Sequence, residues 1–248
     1  MIRFIEKPNL PQGKVHTVIC GELCSELNSF LDFRAIERIV IRPNVHIDPA
    51  TVGHADMAAI HLGKNTVFAD KNQSELIDRL KKNDFTVIES ASEIKGEYPR
   101  DVALNFTVMG NRALGNFAFA DALLAEKLYG FERLNVRQGY CKCSCFVIDE
   151  NALITDDNSI YNIACKNGID CLLVSKGDVS LPGHEYGFIG GASGKISKNE
   201  VLFFGDITKH RDYKEIAGFI KKHGCEVLSL DFPLTDFGGI IPITEKAP

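Results

Sequence analysis

Short apolar runs recur along the chain and end at comparable places: Thr17–Gly21, Thr66–Asp70, Arg112–Asn116, Ala152–Asp156 and Leu202–Asp206. Their last residues are 49, 46, 40 and 50 positions apart, a period typical of repeated supersecondary units. Each run is followed by apolar residues at three- and four-residue spacing, which predicts a helix with one buried stripe. The stripes are Leu27, Phe30 and Leu31; Leu76, Ile77 and Leu80; the segment Ala122–Leu128; Ile160, Ile163 and Ala164; and Ile216, Phe219 and Ile220. Gly130, Gly168, Gly224 and the pair Asn83-Asp84 stand where these helices should stop. A second apolar strand then follows: Ile39–Ile41, Thr86–Ile88, Leu134–Val136, Cys171–Val174 and Val227–Leu230. Four of the runs are also preceded by a strand. These preceding strands begin at His54, Tyr98, Tyr140 and Tyr186 and are joined through Gly/Asn-rich hairpin turns such as Gly63-Lys64-Asn65.

The first unit lacks its leading strand, and the C-terminus has one to spare, Phe237–Ile243. Lending that strand to the first unit, beside Val15–Cys20, accounts for both. The expected fold is therefore an α/β protein: a five-unit pseudo-symmetric propeller of strand–strand–helix–strand units, closed by the C-terminal strand, as one domain over residues 1–248. Two independent α/β halves would leave the last strand unexplained.

Composition changes this picture little but narrows the function. Of 248 residues, 45% are hydrophobic and 25% charged, which excludes a disordered chain. A net charge of −5 argues against nucleic acid as partner. No apolar run reaches the roughly 18 residues a membrane span needs. The segment MIRFIEKPNLPQGK has no apolar core of the kind a secretory signal carries, so eight cysteines are expected as reduced thiols in the cytoplasm. No cofactor is expected.

The five-unit pattern resembles the pentein fold of the guanidino-group-modifying enzymes: arginine and agmatine deiminases, dimethylarginine dimethylaminohydrolase and the amidinotransferases. Segment His54–Ile60 resembles that family's acidic strand, with Asp56 at the carboxylate position, and Tyr98–Ala103 resembles its aromatic-x-Arg-Asp segment, with Asp101. The resemblance implies a channel in which carboxylates hold a planar cation, a His acts as acid and base, and a Cys attacks carbon. The His position falls on Tyr140, and in Gly238–Thr244 the residues Ile241 and Pro242 stand where His and Cys are expected. The resemblance thus points to a divergent branch without the usual Cys and His.

On this reading the protein binds a small guanidino or amino-acid-like ligand in an acidic channel through His54, Asp56, Arg100, Asp101, Tyr140, Gly190 and Gly191. It has no catalytic residue and no metal. The alternatives are an amidino or guanidino hydrolase of altered mechanism, water-based or metal-assisted on His54, Asp56 and Asp101, and a non-catalytic protein-interaction module. Cys141, Cys143 and Cys145 alternate along the expected strand from Tyr140, so all three should face the unit's own helix as small buried residues. The glycines around Gly190 and Gly191 fail phosphate-loop spacing and suit a bare inner strand, and His184 falls in a rim loop.

Overall fold

The computed structural model describes residues 1–247. The chain opens with β1 (Ile2–Phe4), β2 (Lys14–Cys20), α1 (Ser25–Phe33) and β3 (Glu37–Val40). The second unit is α2 (Ala55–Ala58), β4 (Ala59–Gly63), β5 (Thr66–Ala69), α3 (Ser74–Lys82) and β6 (Thr86–Glu89). The third is β7 (Thr107–Met109), β8 (Arg112–Gly115), α4 (Ala122–Lys127) and β9 (Glu132–Asn135). The fourth is β10 (Cys145–Asp149), β11 (Ala152–Thr155), α5 (Asn158–Lys166) and β12 (Asp170–Leu173). The fifth is β13 (Ser193–Lys195), β14 (Glu200–Phe203), α6 (Tyr213–Lys222) and β15 (Glu226–Leu228), after which β16 (Ile240–Lys246) ends the chain.

Five pseudo-symmetric units are present. In each, an inner strand pairs antiparallel with a middle strand, and the middle strand pairs parallel with an outer one across a helix. The helices follow from sequence. In α3 the stripe Leu76, Ile77 and Leu80 is buried while Arg79, Lys81 and Lys82 occupy the last turn, where cations complement the helix dipole. Asp157 caps α5 by accepting from Ser159 N at 2.8 Å and Ile160 N at 3.0 Å. Gly168 and Gly224 stop their helices with positive φ, whereas Gly130 ends a single 3₁₀ turn without it.

The expected closed propeller is corrected. The sheets are five separate ones, and none is continuous around an axis. β16 joins only the sheet of the first unit, between β1 and β2, with Ile240 opposite Cys20 and Lys246 opposite Lys14. Neighbouring units are held mainly by side chains, because each sheet buries its faces against the next, with isolated backbone bonds such as Val15 N to Ile196 O at 2.9 Å and Gly191 N to Cys143 O at 3.0 Å. Ile19, Ile39, Val67 and Leu80 pack together from units one and two, Phe68, Phe106 and Leu124 from two and three, and Leu114, Leu153 and Ile160 from three and four. Phe146, Ile154 and Phe203 do so from four and five, and Val18, Leu27, Leu202 and Phe204 from five and one. Each such buried aliphatic or aromatic side chain contributes about 1.5–3 kcal/mol.

The inner strands also start later than their sequence suggests. They begin at Ala59, Thr107, Cys145 and Ser193, and the residues ahead of them, from His54, Tyr98, Tyr140 and Tyr186, form turns or, in α2, one helical turn. Among the described residues no helix is long and apolar enough to cross a membrane.

Candidate active site

The turns ahead of the inner strands carry the chemistry. Asp56 lies three residues before β4, Cys143 two before β10, Asp236 four before β16 and Asp101 six before β7. His54, Asp56 and Cys143 are all buried, and one donor atom from each lies within 4.8 Å of the other two. The expectation of a branch without thiol and imidazole is therefore overturned: both are present, the thiol from unit four rather than from the C-terminal strand.

Local backbone explains why. Residues 140–144 coil, with Ser144 N bonded to Tyr140 O at 3.0 Å and Cys145 N to Lys142 O at 3.2 Å. Side chains in such a turn do not alternate as on a strand. Cys141 and Cys145 face the core beside Leu153, Ile160 and Ala164, as small buried residues, but Cys143 turns the other way, toward Met57 and Phe106. Asn105, fully buried, ties this turn to α2. Its Oδ1 accepts from Lys142 N at 2.7 Å and Cys143 N at 3.3 Å, and its Nδ2 donates to Cys143 Sγ at 3.1 Å and Asp56 O at 3.2 Å.

Asp236 completes the group. Its Oδ1 accepts from Gly238 N and its Oδ2 from Phe188 N, both at 2.9 Å, and His54 Nδ1 lies 3.7 Å from Oδ1. Two glycines make this approach possible. A Cβ on Gly191 would fall on the Asp236 carboxylate, and one on Gly238 would meet His54 Cβ at 2.4 Å. Gly190 packs with equal tightness against the carbonyls of residues 142, 143 and 145. Gly190 and Gly191 thus serve backbone approach in this structure, and they lie in a turn before β13, not on a strand.

Carboxylates outnumber the basic side chains at the site, where Lys142 acts on Asp56. Neither carboxylate oxygen of Asp56 has a hydrogen-bond partner, nor does His54 Nδ1 or Asp101 Oδ1. Burial raises the Asp56 carboxyl to about 6, although His54 and Lys142 pull it back. Burial, then the charges of Asp56 and Asp236, push the Cys143 thiol well above the ordinary thiol range. Asp101 is raised by burial and accepts from Tyr140 Oη at 2.6 Å. Burial and that same bond raise the Tyr140 phenol. Arg100 does not join the group: it is exposed, and its side chain has no ion pair among the described residues. The structure brings His54 and Asp56 together with Cys143, and pairs Asp101 with Tyr140 separately, while Asp236, Asn105 and the place of Cys143 escape sequence reading. Asp236 carried a signal, standing two residues before Gly238-Gly239.

The donor set N, O and S from His54, Asp56 and Cys143 also matches what a zinc ion accepts in a site with an open position.

The fold is similar to that of solved amidinotransferases and an agmatine deiminase. Similar solved structures include an inosamine-phosphate amidinotransferase from Streptomyces griseus, 10% identical over 99% of this chain and 98% of that one, with a TM-score of 0.61. An agmatine deiminase from C. jejuni is 10% identical over 98% and 96%, with a TM-score of 0.59. An amidinotransferase of the saxitoxin biosynthetic pathway from Microseira wollei is 11% identical over 97% and 96%, with a TM-score of 0.57. No curated protein matches the sequence. The chain belongs to the family described as a family of unknown function (DUF6873), whose model matches residues 18–241.

Proposed function

We propose that the protein is a thiol-dependent hydrolase or transferase acting on a small guanidino or amidino compound, with Cys143 as nucleophile, His54 as proton carrier, Asp56 as the carboxylate that receives the cation and Asp236 as the residue that orients His54. The observation that carries this reading is the buried Asp56 carboxylate, whose only donor from the chain is the adjacent Cys143 thiol, beside an imidazole. A buried carboxylate without partners is costly, and a planar amidinium offers it paired N–H donors.

The chemistry follows from the charges. Entry of a cation offsets Asp56 and Asp236, the two charges that hold the Cys143 proton in place. His54 takes that proton, sulfur adds to the amidinium carbon, and His54 returns the proton to the departing amine. Water, or an acceptor amine, then adds to the thio-linked carbon and releases the thiol. Cys143 is only 1% exposed, so admission of a substrate requires side chains packed around it, Tyr140 and Phe188 among them, to move.

The test is incubation with guanidino and amidino compounds, following released ammonia, urea or amine and the intact mass of the protein. Turnover and a mass adduct on Cys143 are expected in the wild type, with loss of both in Cys143→Ser. Turnover that survives in Cys143→Ser, or no adduct and no turnover with any compound, overturns the reading. A second reading follows from the donor set: Zn²⁺ held by His54, Asp56 and Cys143. Zinc that binds stoichiometrically, leaves with His54→Ala and is required for turnover would favour it.

A further inference from the structure

A cavity of about 780 Å³ lies between the first and second units, a size within the roughly 300–1,000 Å³ of small-molecule sites. None of His54, Asp56, Cys143 and Asp236 lines it, so it is separate from the cluster. β1, β2, β3 and β16 supply one wall, and Arg79 of α3 with Asn83 and Phe85 after it supply the other. Its apolar part is the open end of the core that joins the two units. Ile39, Phe85 and Ile243 are buried in that core with Phe4 packed against it, and the Phe4 and Phe85 rings meet edge to face at 4.8 Å between centroids.

The charged part of the cavity is basic, in a chain of net charge −5. Arg3, Arg38, Arg79 and Lys246 line it against Asp32 and Glu37. Arg3 is held by Glu245 at 2.8 Å and Arg38 by Asp32 at 2.7 Å. Arg79 and Lys246 make no ion pair among the described residues. Arg79 uses one N–H, from Nη2 to Arg38 O at 3.2 Å, and a guanidinium has five such donors. The dipole of α3 does not account for its direction, since Lys81 and Lys82 share that last turn and do not line the cavity. The side chains of Asp32 and Glu37 are 66% and 70% exposed, so water screens their charge.

An apolar floor alone suits any apolar molecule, and a lone arginine suits any anion. The two side by side select a molecule that has both parts, because the body leaves water while the charge meets a guanidinium. We propose that this cavity is a second binding site, for a small organic anion with an apolar body. The carboxylate, phosphate or sulfonate group lies at Arg79 and Lys246, and the body lies on Phe4, Ile39, Phe85 and Ile243.

Fluorescence titration of the full chain tests it with three probes: 8-anilinonaphthalene-1-sulfonate, its neutral counterpart N-phenyl-1-naphthylamine, and inorganic phosphate as competitor. The sulfonate should bind one to one, about tenfold more tightly than the neutral amine, and Arg79→Gln should remove that advantage. Arg137→Gln, which changes an exposed arginine of the third unit, should leave it intact. Phosphate should compete only at concentrations at least about a hundredfold higher than the sulfonate needs. Equal binding of the sulfonate and the neutral amine, or a sulfonate advantage that survives Arg79→Gln, overturns the inference. Equal weakening by Arg137→Gln, or absence of sulfonate binding, overturns it as well. Phosphate that competes as well as the sulfonate leaves the apolar floor without a role and also overturns it.

Discussion

Two carboxylates are equally buried, each 1% exposed, yet differently served: Glu245 near the end of β16 and Asp56 just before β4. Glu245 accepts from Arg3 Nε at 2.9 Å, from Gln12 N at 2.5 Å and from Gly13 N at 2.8 Å, with Arg3 Nη2 at 2.8 Å. It locks the N-terminal segment onto β16. Asp56 has the same chemistry and the same burial, but no backbone or guanidinium donor, and only the Cys143 thiol beside it. A carboxylate saturated by its own chain holds structure, and one left bare is available to bind. That contrast, more than burial or charge alone, separates framework from site.

Removing the saturated group should have the larger effect. Glu245→Ala strands donors on three residues, so urea unfolding should show a loss of about 3 kcal/mol, the lower end of the range for breaking a buried pair because Arg3 is partly exposed. Asp56→Asn should do the reverse. A carboxyl with a folded pKa near 6 against 3.8 unfolded weakens the fold only when ionised. The penalty is absent below pH 4 and grows as pH rises through 6. Asp56→Asn should thus gain about 2–3 kcal/mol at pH 8 and nothing at pH 4. A loss of stability at pH 8 would make Asp56 a framework residue like Glu245.

The wild type should follow the same sign. Asp156, raised by burial to about 7, adds to Asp56, so stability should fall from pH 5 to pH 8. His61 works the other way. Burial lowers it to about 4, so its contribution is full above pH 6.5 and is lost as pH falls through 4. With two carboxyls against one imidazole, the stability of these three groups together should fall from about pH 4 to pH 7, more gently than the carboxyls alone would make it. The smallest effect separates the cysteines. Cys141→Ala should cost about 1 kcal/mol of packing and leave ligand binding unchanged. Cys143→Ala should abolish adduct formation.

The repeat was legible because middle strands, helix stripes and outer strands repeat strong patterns, and the structure follows them within a residue or two at most places. The turns before the inner strands were not. His54–Ile60 is short and alanine-rich, and its apolar positions fit a strand as well as a helical turn. Reading 140–145 as a strand sent Cys143 to the helix side, when a coiled backbone turns it toward Asp56. Looking for the thiol at Pro242 left the nearby Asp236 unweighed, since its contact with His54 depends on Gly191 and Gly238, whose role shows only in three dimensions.

The central claim is that Asp56 is a bare carboxylate awaiting a cation. Carboxyl ¹³C titration by NMR of the empty protein and of the protein with excess methylguanidinium tests it directly. Asp56 should titrate near 6 when empty and move clearly lower with the cation bound. An Asp56 that titrates near 3.8 in the empty protein, or is unmoved by the cation, would contradict the account.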